Sequence, residues 1–138
     1  APALAAGCTA VIKMPAQTAQ VNAVMNKVFA SVKSLPKGVI NQFTEGGYEG
    51  ASLLVESPDT PTISYTGSTQ TGKMLMRNAS NELKRLGFEL GGKTPMIVFD
   101  DANLDLAVPT LEKAITVFTG QFCMTGSRIL VQKGIADE

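Results

Sequence analysis

Short apolar segments rich in β-branched residues alternate with segments of helical periodicity along this 138-residue chain. Such apolar segments, bounded by glycine or proline, are typical of buried strands, whereas apolar positions three or four apart indicate amphipathic helices. Strands are predicted at residues 7–13, 38–43, 62–66, 84–90, 95–99 and 128–132. Strands that alternate with helices need crossover connections and pair in parallel. The sequence therefore predicts an α/β fold with a mainly parallel sheet and helices on both faces.

The predicted helices lie between these strands, and two prolines and one serine help to set their ends. Pro15 should punctuate the first strand, since proline cannot donate to a strand ladder. Ser68 follows the strand at 62–66 and is the predicted N-cap of a helix that runs to about residue 81. Pro109 interrupts the last helical pattern, so we expect the regular part of that helix to start near Ala107.

Composition excludes several classes of partner. The formal net charge is zero, only 17% of residues are charged and no basic run occurs, which argues against nucleic acid and anionic membranes. No apolar run approaches the length that spans a bilayer, and the first residues lack the features of a signal peptide. These features favour a small-molecule partner and a cytoplasmic protein.

The chain contains no histidine and two cysteines, Cys8 and Cys123. Without histidine it cannot form a Ser-His or Cys-His dyad, and no metal site is predicted. Two cysteines are too few for a disulfide framework, so both thiols should be reduced. If Cys123 is a nucleophile, a group other than histidine must deprotonate it.

Two residues have the surroundings of catalytic groups. Cys123 lies in a loop that contains glycine and threonine, where an accessible thiolate would attack a carbonyl carbon. Glu89 follows an apolar segment and precedes two glycines, where partial burial would make it a better proton acceptor. The alternatives are an inert buried cysteine and a salt-bridged acid. Cys8 begins an apolar strand, which favours a structural role for that thiol.

Several segments in register resemble motifs of the aldehyde dehydrogenase superfamily, and together they cover almost the whole chain. They are GCTAVIK (7–13), YTGST (65–69), ELGGK (89–93), FDDANLD (99–105) and GQFCMTGSR (120–128). The resemblance implies that Cys123 is the nucleophile and that Glu89 is the general base that activates the hydrolytic water. It also implies a coenzyme-binding set that consists of Lys13, Gly47, Gly67, Ser68, Leu90 and Gly91.

The same resemblance implies a Rossmann-like nucleotide-binding portion at residues 1–90 and the start of a catalytic domain at residues 91–138. The implied substrate is an aldehyde, and the coenzyme is NAD or NADP. Ala16 stands where NAD-preferring relatives often carry glutamate, so NADP should at least be tolerated. The complete enzyme is expected to be larger and homo-oligomeric, and to take its oxyanion asparagine from outside these residues.

Two other functions remain open at this stage. The chain is a fragment that binds a nucleotide without turnover, or it is a structural or assembly piece whose low charge reflects surfaces that other segments cover. Turnover that appears only when flanking segments are added would favour the first of these. Self-association without coenzyme affinity would favour the second.

Overall fold

The computed structural model describes residues 1–137, and the chain divides between Thr60 and Pro61 into two compact units. Each unit contains parallel strands and the helices that connect them. The predicted boundary after residue 90 separates a nucleotide-binding portion from the start of a catalytic domain. It is a prediction about function and differs in kind from this division into compact units. That boundary stays a prediction.

The first unit is a β–α–β arrangement flanked by two further helices. Its elements are, in chain order, α1 (Pro2–Ala5), β1 (Ala10–Pro15), a 3-10 turn (Ala16–Thr18), α2 (Ala19–Ser31), β2 (Ile40–Glu45) and α3 (Glu49–Glu56). Strands β1 and β2 pair in parallel, from Ala10 opposite Ile40 to Pro15 opposite Glu45. Strand β1 therefore lies slightly later than the predicted 7–13, and Pro15 occupies its last position rather than a place beyond it.

The second unit contains two further β–α–β arrangements. Its elements are β3 (Thr62–Gly67), α4 (Thr69–Ala79), a 3-10 turn (Ser80–Glu82), β4 (Arg85–Leu90), β5 (Pro95–Val98), α5 (Leu104–Thr116), a 3-10 turn (Val117–Gly120), β6 (Arg128–Val131) and a 3-10 turn (Lys133–Ile135). Strand β3 pairs in parallel with β4, and β5 pairs in parallel with β6. The α/β class is confirmed, since each of the three parallel strand pairs is joined through a helix.

Helix α5 begins at Leu104, so the prediction that its regular part starts near Ala107 is wrong. The amide of Ala107 donates to the carbonyl of Asn103, 2.9 Å away, which closes the first helical turn. Pro109 lies inside the helix and removes the amide that the carbonyl of Asp105 would otherwise accept from. Both residues are exposed, so water can hydrate this carbonyl and the helix tolerates the proline.

The apolar stripes of the helices are largely exposed. Among the described residues, the fully buried apolar side chains are Val55, Ala79 and Val98. On helix α2, by contrast, Val21 is 61% exposed and Val24 is 58% exposed. A two-stranded sheet is too narrow to cover a whole helical stripe, which spans a wide arc of the helix. Periodicity thus predicts the helix correctly, but α2 does not bury its stripe within its own unit.

Within residues 1–137, Asn22 is the largest fully buried side chain, and it joins three elements. It is 2% exposed. Its Nδ2 donates to the carbonyl of Pro15 at 2.8 Å and to Oγ1 of Thr44 at 3.1 Å, while its Oδ1 accepts from the Thr18 hydroxyl at 3.0 Å. A buried amide with its donors and acceptor satisfied stabilises the arrangement that satisfies it. Asn22 therefore fixes helix α2 against the ends of β1 and β2.

We expect Asn22→Ala to lower the free energy of unfolding by about 1–3 kcal/mol, because it removes the three hydrogen bonds of a buried amide and leaves its place empty. Urea denaturation measures this difference. Asn26→Ala is the matched control, since Asn26 is exposed on the same helix; its effect should stay within about 0.5 kcal/mol. Equal effects of the two substitutions would contradict the structural role of Asn22.

Candidate active site

The carboxyl ends of β3 and β4 bring two of the predicted motifs side by side. In this parallel pair Thr66 lies opposite Glu89, and Gly67 lies opposite Leu90. Neighbouring strands are about 4.8 Å apart, so the backbone of a predicted coenzyme-binding glycine adjoins the segment of the predicted general base. Open parallel sheets bind their ligands at this carboxyl edge.

Helix α4 starts at the same edge. Oγ of Ser68 accepts a hydrogen bond from the amide of Thr71 at 3.1 Å, which confirms the predicted N-cap. Gly67 lies under the Tyr65 hydroxyl, and a Cβ at position 67 would collide with that oxygen. Any larger residue at position 67 would therefore require the Tyr65 ring to move. The first-turn amides of α4 provide the positive end of a helix dipole, which suits a phosphate group.

Leu90 holds helix α4 against strand β4. Its side chain is half-buried, and a Cβ added to Gly72 of α4 would lie 3.0 Å from Cδ2 of Leu90. Leu90 also pairs with Gly67 at the strand ends. The side chain of this predicted coenzyme-binding residue thus packs against α4, while its backbone and that of Gly91 lie at the carboxyl edge.

The segment after β4 runs past the loop that carries Cys123. A Cβ on Gly92 would lie 3.5 Å from the carbonyl oxygen of Cys123, so the two backbones pass close to each other. The contact continues at Arg128, whose Nε donates to the carbonyl of Lys93 at 2.9 Å. Glu89 precedes Gly92 in the same segment. The structure therefore brings the segment of the predicted acid to the loop of the predicted nucleophile.

The turn before Cys123 has an uncommon backbone. Phe118, Thr119 and Gly120 have φ angles of 49°, 59° and 72°. Consecutive left-handed residues outside glycine are unfavourable, and they persist where surrounding contacts enforce them. The rings of Phe118 and Phe122 pack edge to face with centroids 5.5 Å apart. This aromatic contact closes the turn that leads into Cys123.

Buried residues anchor the other side of the same loop. The amide of Thr125 donates to the carbonyl of Phe122 at 3.0 Å, and both Thr125 and Gly126 are buried. Met96 of β5 packs so closely on Gly126 that a Cβ there would collide with its sulfur. The loop is thus held on both sides of Cys123, and the cysteine itself is exposed.

Two side chains, those of Glu89 and Cys8, are more exposed in the structure than the sequence predicts. Glu89 is exposed, so the partial burial expected from its apolar neighbours is absent within this chain. Cys8 is also exposed and lies before β1 rather than inside a strand. Its exposure contradicts the expectation of a packed structural thiol. Accessibility therefore does not distinguish the two cysteines, and only the surroundings of Cys123 favour it as the nucleophile.

The predicted coenzyme residues of the first unit lie at the carboxyl edge of β1 and β2. Lys13 is exposed, lies two residues before the end of β1 and is opposite Phe43, while Gly47 follows β2. Ala16 starts the turn directly after β1. It is the position at which the family resemblance implies a glutamate in many NAD-preferring relatives. Lysine, glycine and this strand edge fit the ribose and phosphate groups of a nicotinamide coenzyme. In the second unit Ser68 and the amides of α4 fit the diphosphate in the same way.

Sequence reasoning missed a carboxylate at this edge. Glu45 ends β2, directly opposite Pro15, and its two carboxylate oxygens accept hydrogen bonds from the amides of Gly50 and Ala51 at 2.8 and 3.0 Å. It therefore caps helix α3 from outside the helix. The available signal was its place between a strand and two glycines, which is where ligand-binding residues of parallel sheets occur.

Within residues 1–137, no group of three or more histidine, cysteine, aspartate or glutamate side chains could hold a metal ion. None of the helices in the same range is both long enough and apolar enough to cross a membrane.

The sequence matches the aldehyde dehydrogenase family over residues 1–138, and the chain belongs to that family. It is 45% identical over 139 residues to a probable succinate-semialdehyde dehydrogenase [NADP(+)] of Sinorhizobium fredii, covering 99% of this chain and 28% of that protein. It is 43% identical over 136 residues to betaine aldehyde dehydrogenase 1 of Oryza sativa subsp. japonica, covering 99% of this chain and 27% of that protein. The chain thus spans little more than a quarter of the length of these relatives.

Solved structures of family members have the same fold. A betaine aldehyde dehydrogenase from Staphylococcus aureus, determined in complex with NAD+, superposes with a TM-score of 0.92 at 39% identity, over 99% of this chain and 27% of that one. An NADP dependent enzyme of E. coli superposes with a TM-score of 0.90 at 38% identity, over 99% of this chain and 28% of that one. The Rossmann-like assignment is confirmed, and the two coenzymes expected from the motifs, NAD and NADP, are those of these two relatives.

We expect iodoacetamide at neutral pH to modify Cys123 of the folded, complete enzyme before Cys8. Both thiols are exposed, so a difference in rate reports chemical activation rather than access. Peptide mass spectrometry after timed quenching measures each site separately. A Cys123→Ser variant gives the rate at Cys8 alone, and faster modification of Cys8 than of Cys123 would remove Cys123 as the activated thiol.

Proposed function

We propose that the complete enzyme containing this chain oxidises an aldehyde to a carboxylic acid, with Cys123 as the nucleophile and Glu89 as the general base. The contact between the backbones of Gly92 and Cys123 is the observation that carries this proposal. The segment that carries Glu89 and the loop that carries Cys123 therefore lie close together within the second unit. The match of the whole chain to the aldehyde dehydrogenase family supports the same chemistry.

The first step uses the exposed thiol. The Cys123 thiol loses its proton to Glu89 or to solvent, and the resulting thiolate attacks the aldehyde carbon, which forms a C–S bond and the alkoxide of a thiohemiacetal. The amide of Cys123 is expected to contribute one donor to the oxyanion, and further donors are expected from outside these residues. The bound coenzyme supplies a hydride acceptor, and loss of hydride from the thiohemiacetal leaves a thioester on Cys123.

The second step uses the acid. Glu89 accepts a proton from a water molecule, which attacks the thioester carbon; the C–S bond breaks, the acid product leaves and the Cys123 thiolate is regenerated. The exposure of Glu89 is compatible with this role, since the water must reach it. Gly91 and Gly92 follow the acid and carry no side chain that would block the approach of water or coenzyme.

Coenzyme binding is proposed at both strand edges. Lys13 is expected to contact ribose or phosphate oxygens, and Gly47 lies in the loop after the neighbouring strand. Gly67, Ser68 and the N-terminus of α4 are expected to face the diphosphate or a ribose, because helix amides and a hydroxyl are donors that suit these groups. The coenzyme complex of the bacterial relative supports a nicotinamide dinucleotide as the ligand.

We further propose that the 138 residues alone do not turn over substrate, that the complete enzyme is a homo-oligomer and that it is cytoplasmic. The exposed apolar stripe of α2 supports the first two proposals, since large exposed apolar surfaces are usually covered by other segments or subunits. Location differs among the relatives, which include a peroxisomal aminoaldehyde dehydrogenase of Pisum sativum and a mitochondrial succinate-semialdehyde dehydrogenase of Homo sapiens. Cell fractionation of the native host tests the location.

Glu89→Gln in the complete enzyme should lower kcat by about 10²-fold or more, the usual effect of losing a general base. The affinity for coenzyme should stay unchanged, because glutamine keeps the size of the side chain. Steady-state kinetics and a coenzyme titration measure the two quantities. Glu82→Gln is the control, an exposed acid of the turn before β4. Unchanged turnover in Glu89→Gln would remove Glu89 from the mechanism.

Ala16→Glu should shift coenzyme preference toward NAD by about tenfold, because a new carboxylate would bind ribose hydroxyls and repel a 2′-phosphate. The ratio of kcat/KM for NAD to that for NADP, before and after the substitution, measures the shift. Ala19→Glu adds the same charge at the exposed start of α2 and is the control. Strict use of NAD by the unmodified enzyme would show that Ala16 does not make NADP acceptable.

A further inference from the structure

Glu45 places a fixed carboxylate at the strand edge where position 16 lacks one. Pro15 and Glu45 are paired residues at the last position of β1 and β2, and Ala16 follows Pro15 directly. Paired strands lie about 4.8 Å apart. Glu45, which ends β2, therefore lies next to Ala16. The absence of a carboxylate at Ala16 is what predicts tolerance of NADP.

The side chains of Lys13 and Glu45 project from the same face of this sheet. Lys13 is paired with Phe43, which lies two residues before Glu45, and side chains two apart along a strand share a face. Lys13 is exposed, while Glu45 is partly buried under helix α3. One cation and one carboxylate thus occupy the same face at the end where parallel sheets bind nucleotides.

The carboxylate of Glu45 is held in place by two backbone amides. Oε2 accepts from the amide of Gly50 at 2.8 Å, and Oε1 accepts from the amide of Ala51 at 3.0 Å. Each carboxylate oxygen can accept more than one hydrogen bond, so both remain able to accept from a ligand hydroxyl. A carboxylate fixed in this way pays little conformational entropy when it binds a ligand.

Asn22 makes the surrounding edge rigid. This residue is 2% exposed and donates both to the carbonyl of Pro15 and to the hydroxyl of Thr44, the residues next to Ala16 and Glu45. The two strand ends are thereby locked to one buried amide. These hydrogen bonds of Asn22, rather than loop residues, set the distance between the backbones of Ala16 and Glu45.

We propose that Glu45 is a specificity-determining residue for the coenzyme: its carboxylate accepts hydrogen bonds from the adenosine ribose hydroxyls and disfavours a 2′-phosphate. This inference rests on the proposed coenzyme site at the carboxyl edge of β1 and β2. It assigns discrimination between the coenzymes to the end of β2, in addition to position 16 after β1. Ala16 removes one source of repulsion toward NADP, and Glu45 retains another.

The test uses the complete enzyme and three single substitutions, two at Glu45 and one control on helix α3. Binding of NADH and NADPH is followed by coenzyme fluorescence, which does not depend on turnover. Glu45→Gln keeps the length of the side chain and one oxygen for the α3 amides but loses the charge. The affinity for NADPH relative to NADH should rise by about tenfold, the effect expected from removing one like-charge contact near the surface.

Glu56→Gln is the matched control, because Glu56 is an exposed acid at the last position of the same helix α3, at the opposite end from Gly50 and Ala51. It makes the same change in net charge, and the affinity ratio should change by less than about twofold, as for an exposed charge outside the contact. An equal rise in both variants would assign the effect to overall charge and overturn the role of Glu45. No rise in Glu45→Gln would overturn it as well.

A second substitution keeps the test decisive if the glutamine weakens the α3 cap. Glu45→Asp retains the charge but shortens the reach to Gly50 and Ala51, so it should match any loss of thermal stability without raising the NADPH ratio. A raised ratio in Glu45→Asp would mean that the cap, not the charge, sets preference. If the unmodified enzyme binds neither coenzyme, the proposed function itself fails; if it binds them and only the ratio is insensitive, only the present inference fails.

Discussion

Parallel pairing of strands joined through a helix is the constraint on which the candidate site depends. Because both strands of such a pair run in the same direction, their carboxyl ends meet at one edge, and residues far apart in the sequence become neighbours. At β3 and β4 this pairing sets Gly67 opposite Leu90. At β1 and β2 it sets Pro15 opposite Glu45. Hydrogen bonding of the ladders, rather than any contact between the motif side chains, brings these residues together.

Tight backbone packing completes what the strand pairing begins. Gly67 lies under the hydroxyl of Tyr65, Gly126 lies under Met96, and Gly92 approaches the carbonyl of Cys123. An added Cβ would collide with a neighbouring side chain at Gly67 and Gly126, whereas at Gly92 it would be in ordinary contact, so at the first two positions glycine serves close approach. The uncommon left-handed turn before Cys123 belongs to the same pattern, since the Phe118–Phe122 contact closes it. The nucleophile loop is thus defined by packing on both sides.

Polar contacts at the first strand pair have a different function from those at the second. The buried amide of Asn22 fixes the two strand ends, and the carboxylate of Glu45 fixes the start of helix α3, through two adjacent sets of hydrogen bonds. A charge held in this way is available to a ligand without reorganisation. The coenzyme preference of the enzyme is therefore expected to reflect the end of β2 as well as the position after β1, and Ala16 alone is an incomplete guide to it.

The sequence by itself determined the order of the strands and helices, the N-cap at Ser68 and the family, because local periodicity, capping chemistry and long motifs are written in consecutive residues. It misjudged the start of α5, since an exposed proline near a helix N-terminus costs less than the pattern rule assumes. Only the tertiary structure decided that Cys8 and Glu89 are exposed and that Glu45 adjoins Ala16. Burial and strand register depend on which segments pack together, and that information is spread over residues distant in the chain.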